Sequence, residues 1–187
     1  MLAGMGRRMM NIVAVSGSLR RISSNTELLR AATLLAPAEM RITLYADLGN
    51  LPQFSPDLDE NAPPIVEVWR QLLLDADGVL ICSPEYAHGI VGALKNALDW
   101  VVGTMNLGGK PVGLINVSAR AVHAQAALHE VVTTMGWNIV ADASPVIAVQ
   151  GKNLDAAAIA ADTDLAAQVR ASLAALQQAI SEQRANG

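Results

Sequence analysis

The chain is poor in several residue types, and each shortage excludes something. Its 187 residues include one cysteine, Cys82, so no intrachain disulfide can form. That thiol lies in the apolar run Val79-Leu80-Ile81-Cys82 and reads as a small buried hydrophobe in a reducing, cytoplasmic setting. Charged residues make up only 16% of the chain, and the net charge is −4, which gives no pull toward nucleic acid or an anionic membrane surface. No apolar run approaches the ~18 residues that a membrane-spanning helix needs. His123 and His129 are six apart and not i, i+4, and no cysteine or carboxylate cluster joins them, so no metal site is expected. Neither G-x-G-x-x-G nor G-x-x-x-x-G-K-[ST] occurs, which argues against a Rossmann dinucleotide site and removes a nucleoside-triphosphate loop.

What is there is apolar residue, 52% of the chain, enough to bury one α/β domain at this length. Arg7-Arg8 precede an apolar stretch, but it stops at Ser16-Gly17-Ser18, too short for a signal-peptide core and followed by no small-residue cleavage site. Residues 1–9 are expected to be a flexible tail, and residues 10–187 a single domain.

Residues 12–15 read as a strand buried on both faces. A helix follows from Ser24, with Ser24 and Glu27 at the spacing of a capping box, and Pro37 ends it. Residues 41–45 form the second strand. A long loop over 46–64 carries several prolines and acids, a length that tends to be functional. A helix over 65–75 leads to the third strand, 78–82. After a loop over 83–89 comes a helix with Ile90, Leu94, Ala97, Leu98 and Val101 on one face. The fourth strand covers 112–117, a helix covers 121–135 with Gly136 as its cap, and a fifth strand over 139–149 is broken by Pro145. The last helix starts near Asp164, its apolar stripe set by Leu165, Val169, Leu173, Leu176 and Ile180. Strands alternating with helices predict a doubly wound α/β parallel sheet, with ligands at the carboxyl ends of the strands where their order reverses.

The unusual residues fall in those loops. Ser16-Gly17-Ser18-Leu19-Arg20-Arg21-Ile22-Ser23-Ser24-Asn25 sets hydroxyls, a glycine and guanidinium charge at a helix start, which suits an anion. The plainer reading is a solvated turn capped by serine. After the third strand stand Ser83-Pro84-Glu85-Tyr86-Ala87-His88-Gly89 and then Leu94-Lys95-Asn96-Ala97-Leu98-Asp99-Trp100. Lys95, Asn96 and Asp99 are expected on a polar helix face, Trp100 and Trp137 in core or interface packing, and His88 either at a ligand or merely exposed.

Together, Gly17-Ser18-Leu19-Arg20 with Ser23 and Asn25, the Pro84-Glu85-Tyr86 loop and the Leu94 to Trp100 motif resemble the NADPH-dependent FMN reductase family. Leu51-Pro52-Gln53-Phe54 is similar to that family's proline-containing loop after the second strand. Ala87, Gly89 and Val91 depart from its usual asparagine, serine and proline. The resemblance implies a flavodoxin-like five-stranded sheet of order 2-1-3-4-5. It also implies an oxidoreductase using FMN, with NADPH or NADH as co-substrate, that reduces a small acceptor such as a quinone, metal oxyanion or azo dye by a ping-pong route. By the same resemblance Ser18, Arg20, Ser23, Ser24 and Asn25 hold the FMN phosphate. Pro84, Glu85, Tyr86, Ala87, His88 and Gly89 wrap the ring edge, and Ser118 flanks its other side. Because nicotinamide–flavin hydride transfer uses the cofactors' own chemistry, no catalytic acid, base or nucleophile is expected, Glu85 included. A homodimer or homotetramer built on the helix after residue 90 is implied too. A flavodoxin-type electron carrier and a flavin-free binding protein stand as alternatives.

Overall fold

The computed structural model describes residues 8–186. The elements run β1 (Met10–Ser16), α1 (Ser24–Leu35), β2 (Met40–Leu44), α2 (Pro64–Asp75), β3 (Gly78–Cys82), β4 (Glu85–Tyr86), β5 (Gly89–Ile90), α3 (Gly92–Asp99), β6 (Pro111–Ile115), α4 (Val122–Thr134), β7 (Asn138–Ile139), α5 (Ala156–Ala161) and α6 (Thr163–Asn186). Five strands pair in parallel in the order β2-β1-β3-β6-β7, the expected 2-1-3-4-5. The remaining two, β4 and β5, make a small antiparallel hairpin of their own.

The near-continuous apolar strands are explained by burial on both faces. Ile12, Ala14, Leu80, Cys82 and Ile115 point to the layer of α1, α5 and α6, while Val13, Val15, Val79, Ile81, Val112 and Leu114 point to α2, α3 and α4. The stripe of α6 is buried as its spacing predicts, at Leu165, Val169, Leu173, Leu176 and Ile180. Gly113 lets the turn Ala141–Ala143 lie against β6, since a Cβ there would sit 2.6 Å from the Ala143 carbonyl oxygen.

Several expectations are corrected. The capping box does not form: Ser23 is the N-cap of α1, and its side chain makes no capping bond. Glu27 instead accepts from the Ala156 N–H at 3.0 Å, so a distant segment takes the carboxylate that a local box would have used. Ile90 belongs to β5 and not to the following helix, which starts at Gly92. The fifth strand is interrupted as expected, but over a longer stretch: β7 covers Asn138–Ile139, and the turn Ala141–Ala143 follows. Ser144 Oγ accepts from the Leu114 N–H at 2.9 Å in place of a strand carbonyl, and parallel pairing resumes as a bridge between Val146 and Asn116. The alanine-rich stretch near residue 156 forms α5. Of the expected tail, residues 1–7 lie outside the described residues, and the carbonyls of Arg8 and Met9 accept from Arg184.

Asn96 is not on a polar face. It is 7% exposed, and its side chain clamps the loop after β2: Oδ1 accepts from the Phe54 N–H at 2.8 Å and Nδ2 donates to the Pro52 carbonyl at 2.9 Å. Trp100, 1% exposed, donates to the same Pro52 carbonyl at 2.7 Å and meets the Phe54 ring edge-on. This explains why an asparagine and a tryptophan stand four apart on α3 and its cap. Asn96→Ala leaves a buried N–H without its acceptor, so a loss of about 1–3 kcal/mol in urea unfolding is expected. Lys95→Ala, which removes only the exposed ion pair to Asp99, is expected to cost under ~1 kcal/mol. Equal losses would show that the clamp carries no special weight.

Candidate functional site

The site begins where the chain leaves β1. Gly17 is forced by contact, since a Cβ there would lie 2.3 Å from Ser83 Oγ and 2.7 Å from Ser83 Cβ. The loops after β1 and β3 therefore touch at this residue, and the Gly17 N–H donates to the Cys82 carbonyl at 2.9 Å. The first loop is braced from within. Ser16 Oγ and Thr26 Oγ1 are 2.8 Å apart, the Ser18 N–H donates to Ser16 Oγ at 3.3 Å, and the Arg20 N–H donates to Ser18 Oγ at 3.4 Å. Because Ser23 does not cap α1 with its side chain, the amino end of that twelve-residue helix remains open toward this loop.

The loop after β3 turns back on itself as the β4–β5 hairpin. Its two tip residues, Ala87 and His88, have φ of 49° and 59°, a conformation that favours Asn-Gly in a two-residue turn. Two contacts oppose that strain. Glu85 Oε2 accepts from the Ala124 N–H in the first turn of α4 at 2.9 Å, and Glu85 Oε1 lies 3.3 Å from His88 Nδ1. The His88 ring in turn meets His123 edge-to-face, with centroids 4.5 Å apart. Glu85 thus ties the hairpin to α4. The Ala124 N–H is the main cause holding its carboxyl below the ordinary value of 4.5; partial desolvation opposes this, and the His123 N–H and the two imidazoles reinforce it.

A groove of about 720 Å³ runs between these two loops at the carboxyl ends of the strands. Ser18, Arg20, Ser23, Ser24, Asn25, Pro84, Glu85 and Tyr86 all line it, which brings together eight residues chosen from sequence. Ser118 lines an adjoining cavity of about 210 Å³ that shares Pro84, Glu85 and Gln150 with the groove. Ala87, His88 and Gly89 line neither, because the hairpin tip leans on α4. Arg20 has no acidic partner among the described residues, whereas Glu27 pairs with Arg30 and Asp155 accepts from the Ala158 N–H. Of the four charged side chains on the groove, Arg20, Glu27, Glu85 and Asp155, Arg20 alone makes no side-chain hydrogen bond or ion pair among the described residues.

Sequence reasoning missed the far wall, formed by Gln150, Gly151, Asn153, Leu154 and Asp155. The signal was present in Gly151 and Asn153, both at positive φ, which mark a tight turn after the last strand. It also missed Arg120 and Asn116 in the smaller cavity. Asn116 is 4% exposed and organises the loop after β6, with Oδ1 accepting from the Ser118 N–H at 2.9 Å and Nδ2 donating to the Ala121 carbonyl at 3.1 Å.

The depressed Glu85 carboxyl sets the sign of a pH effect. Its contribution to stability is whole above the ordinary carboxylate value and drains as pH falls through the lowered one. Glu85→Gln keeps the shape and gives up the charge. The gap in urea midpoint between variant and wild type is therefore expected to be widest at neutral pH and to close as pH drops below 4.5. A gap that does not change with pH would mean that the charge is not what ties the hairpin to α4.

Comparison with known proteins agrees with this geometry. The family model described as NADPH-dependent FMN reductase matches residues 10–152. A 2-hydroxy-1,4-benzoquinone reductase of Burkholderia sp. is 41% identical over 116 residues, covering 60% of this chain and 63% of that protein. An NADPH:quinone oxidoreductase of Arabidopsis thaliana is 41% identical over 114 residues, 58% of each. The chain thus spans about three fifths of the length of the curated relatives it matches. Among solved structures, the flavoenzyme NAD(P)H:(acceptor) oxidoreductase of Paracoccus denitrificans superposes with a TM-score of 0.79 at 25% identity, covering 93% of this chain and 98% of that one. With its sheet order, its loop motifs and the matched residues all in agreement, the chain belongs to the NADPH-dependent FMN reductase family.

Proposed function

We propose that this chain is an NAD(P)H-dependent quinone reductase that holds FMN in the 720 Å³ groove. The observation that carries the reading is the donor set at one end of that groove: Arg20 without an acidic partner, the hydroxyls of Ser18 and Ser23, the Asn25 carboxamide, and the open amino end of α1. Such a set fits a phosphate dianion, and only the phosphate end of a flavin nucleotide needs it. Pro84, Glu85 and Tyr86 line the groove's other wall, and Ser118 stands beyond them in the adjoining cavity, so both would flank the ring. When bound, FMN supplies the redox chemistry, taking a hydride from the reduced nicotinamide and returning electrons to the acceptor. We assign no catalytic acid, base or nucleophile. Glu85 is engaged by α4, and Cys82 is sealed in the core. The residues supply position, charge and exclusion of water, and the nicotinamide and the quinone take turns at one mouth in a ping-pong order.

The apo protein is expected to take up FMN and turn yellow. Anaerobic NADPH should then bleach it, and a quinone should restore the colour. A protein that stays yellow under NADPH would be an electron carrier, and one that ignores FMN would refute the reading. A charge-assisted bond is worth roughly 1.5–3 kcal/mol, so Arg20→Ala should weaken FMN about ten- to a hundredfold and riboflavin far less. Equal losses for the two ligands in titration would remove Arg20 from the phosphate site.

We further propose that two copies pair across α3 and α4. An apolar cleft there is lined by Leu98, Val102, Val131 and Met135, with the Lys95–Asp99 ion pair at its rim. The structure corrects the makeup expected of this face, since Asn96 and Trp100 are both buried. Asp99→Arg sets two cations side by side at i, i+4 and is expected to shift the protein toward monomer in light scattering. A wild-type protein that scatters as a monomer at micromolar concentration would overturn the pairing.

A further inference from the structure

Cys82 ends β3 with its side chain on the α1 side of the sheet, fully enclosed. Its Sγ lies 3.3 Å from Oδ1 of Asn25, which sits in the first turn of α1 and is only 5% exposed. Burial pushes the thiol up, well above the ordinary range, so it stays protonated wherever the protein is folded. A protonated thiol has one hydrogen to give, and the Asn25 carbonyl oxygen is the acceptor it meets. That bond fixes which way round the carboxamide sits, with its oxygen inward to sulfur and its nitrogen away from it.

The nitrogen has no hydrogen-bond partner among the described residues, yet it is not sealed in. The enclosed, unpartnered side-chain atoms among those residues are Tyr45 Oη and Trp137 Nε1. Asn25 Nδ2 therefore keeps a small accessible surface, and the space that Asn25 lines is the groove, beside Ser18, Arg20 and Ser23. A carboxamide held the other way would turn carbonyl lone pairs toward an anion. We propose that Cys82 is a positioning residue for anion binding: its S–H···O bond holds the Asn25 carboxamide with its two N–H groups directed at the phosphate of FMN. This rests on the reading that the groove takes that phosphate. It gives a task to a cysteine that hydride transfer does not use and that packing alone would leave interchangeable with valine.

The test is a matched set of variants. Cys82→Ser keeps a donor, Cys82→Ala removes it together with the volume of the sulfur, and Cys82→Val removes it while filling the volume. Each apo protein is titrated with FMN and with riboflavin, and the readout is the ratio of the two affinities, which a merely structural role would not move. Cys82→Ser is expected to keep the wild-type preference for FMN within about twofold, and Cys82→Ala and Cys82→Val to lose about three- to tenfold of it, with riboflavin affinity unchanged. If Cys82→Ala does not fold, Cys82→Val decides alone. A wild type that prefers FMN, with donorless variants that retain the full preference, would overturn the role of Cys82 and leave the phosphate site standing. A wild type that binds riboflavin as tightly as FMN would overturn the phosphate reading itself, and this inference with it.

Discussion

Strands β1 and β3 lie side by side in parallel, but the chain leaves them in opposite directions. After β1 it passes to α1 on one face of the sheet, and after β3 it passes through the β4–β5 hairpin to α3 on the other. Two loops that diverge from adjacent strand ends must leave a cleft between them. Here they meet at their roots, where Gly17 passes Ser83 too closely for any side chain. That contact joins the two loops whose residues line one side of the groove and the other. The lining residues that these two loops carry, from Arg20 to Tyr86, are placed relative to that one crossing.

The segments around the groove are held by polar side chains working at long range. Asn96 and Trp100 hold the loop after β2, Glu85 ties the hairpin to α4, Asn116 shapes the loop after β6, and Glu27 caps α5, just beyond the far wall. Each is an acceptor or donor paired with a backbone group that would otherwise be left without a partner, and such groups are costly when buried. The same accounting holds away from the groove. Lys110, 8% exposed, donates to the carbonyls of Leu73, Leu74 and Ala76 at the end of α2, and burial draws its ammonium below the ordinary lysine range. The motif residues of this chain thus divide in two: those near the first loop face the groove, and those on α3 support its surroundings.

The groove itself offers donors more than reactive groups. Its acids are already engaged, its one nearby thiol is enclosed, and the Arg20 guanidinium has no acidic partner among the described residues. A site of this composition suits a partner that brings its own reactive chemistry, the role proposed above for FMN. Family membership and groove chemistry point the same way for independent reasons, one from matched sequence and the other from hydrogen-bond accounting.

The sequence by itself determined the local periodicities, and through them the fold. Apolar runs of strand length and a helical stripe from Leu165 to Ile180 each act within a few residues, so they are legible in one dimension. They also placed Ser18, Arg20, Ser23, Asn25 and Pro84 at the strand ends where a doubly wound sheet puts its ligands. What only the tertiary structure decided is where each polar side chain found its partner. Glu27 has the spacing of a capping box but meets Ala156, Asn96 has a surface residue's chemistry but a buried position, and Cys82 meets Asn25 across 57 residues of chain. The physical reason is that a hydrogen-bonding side chain answers to whichever unpaired group folding brings within about 3 Å, and sequence spacing does not encode that distance.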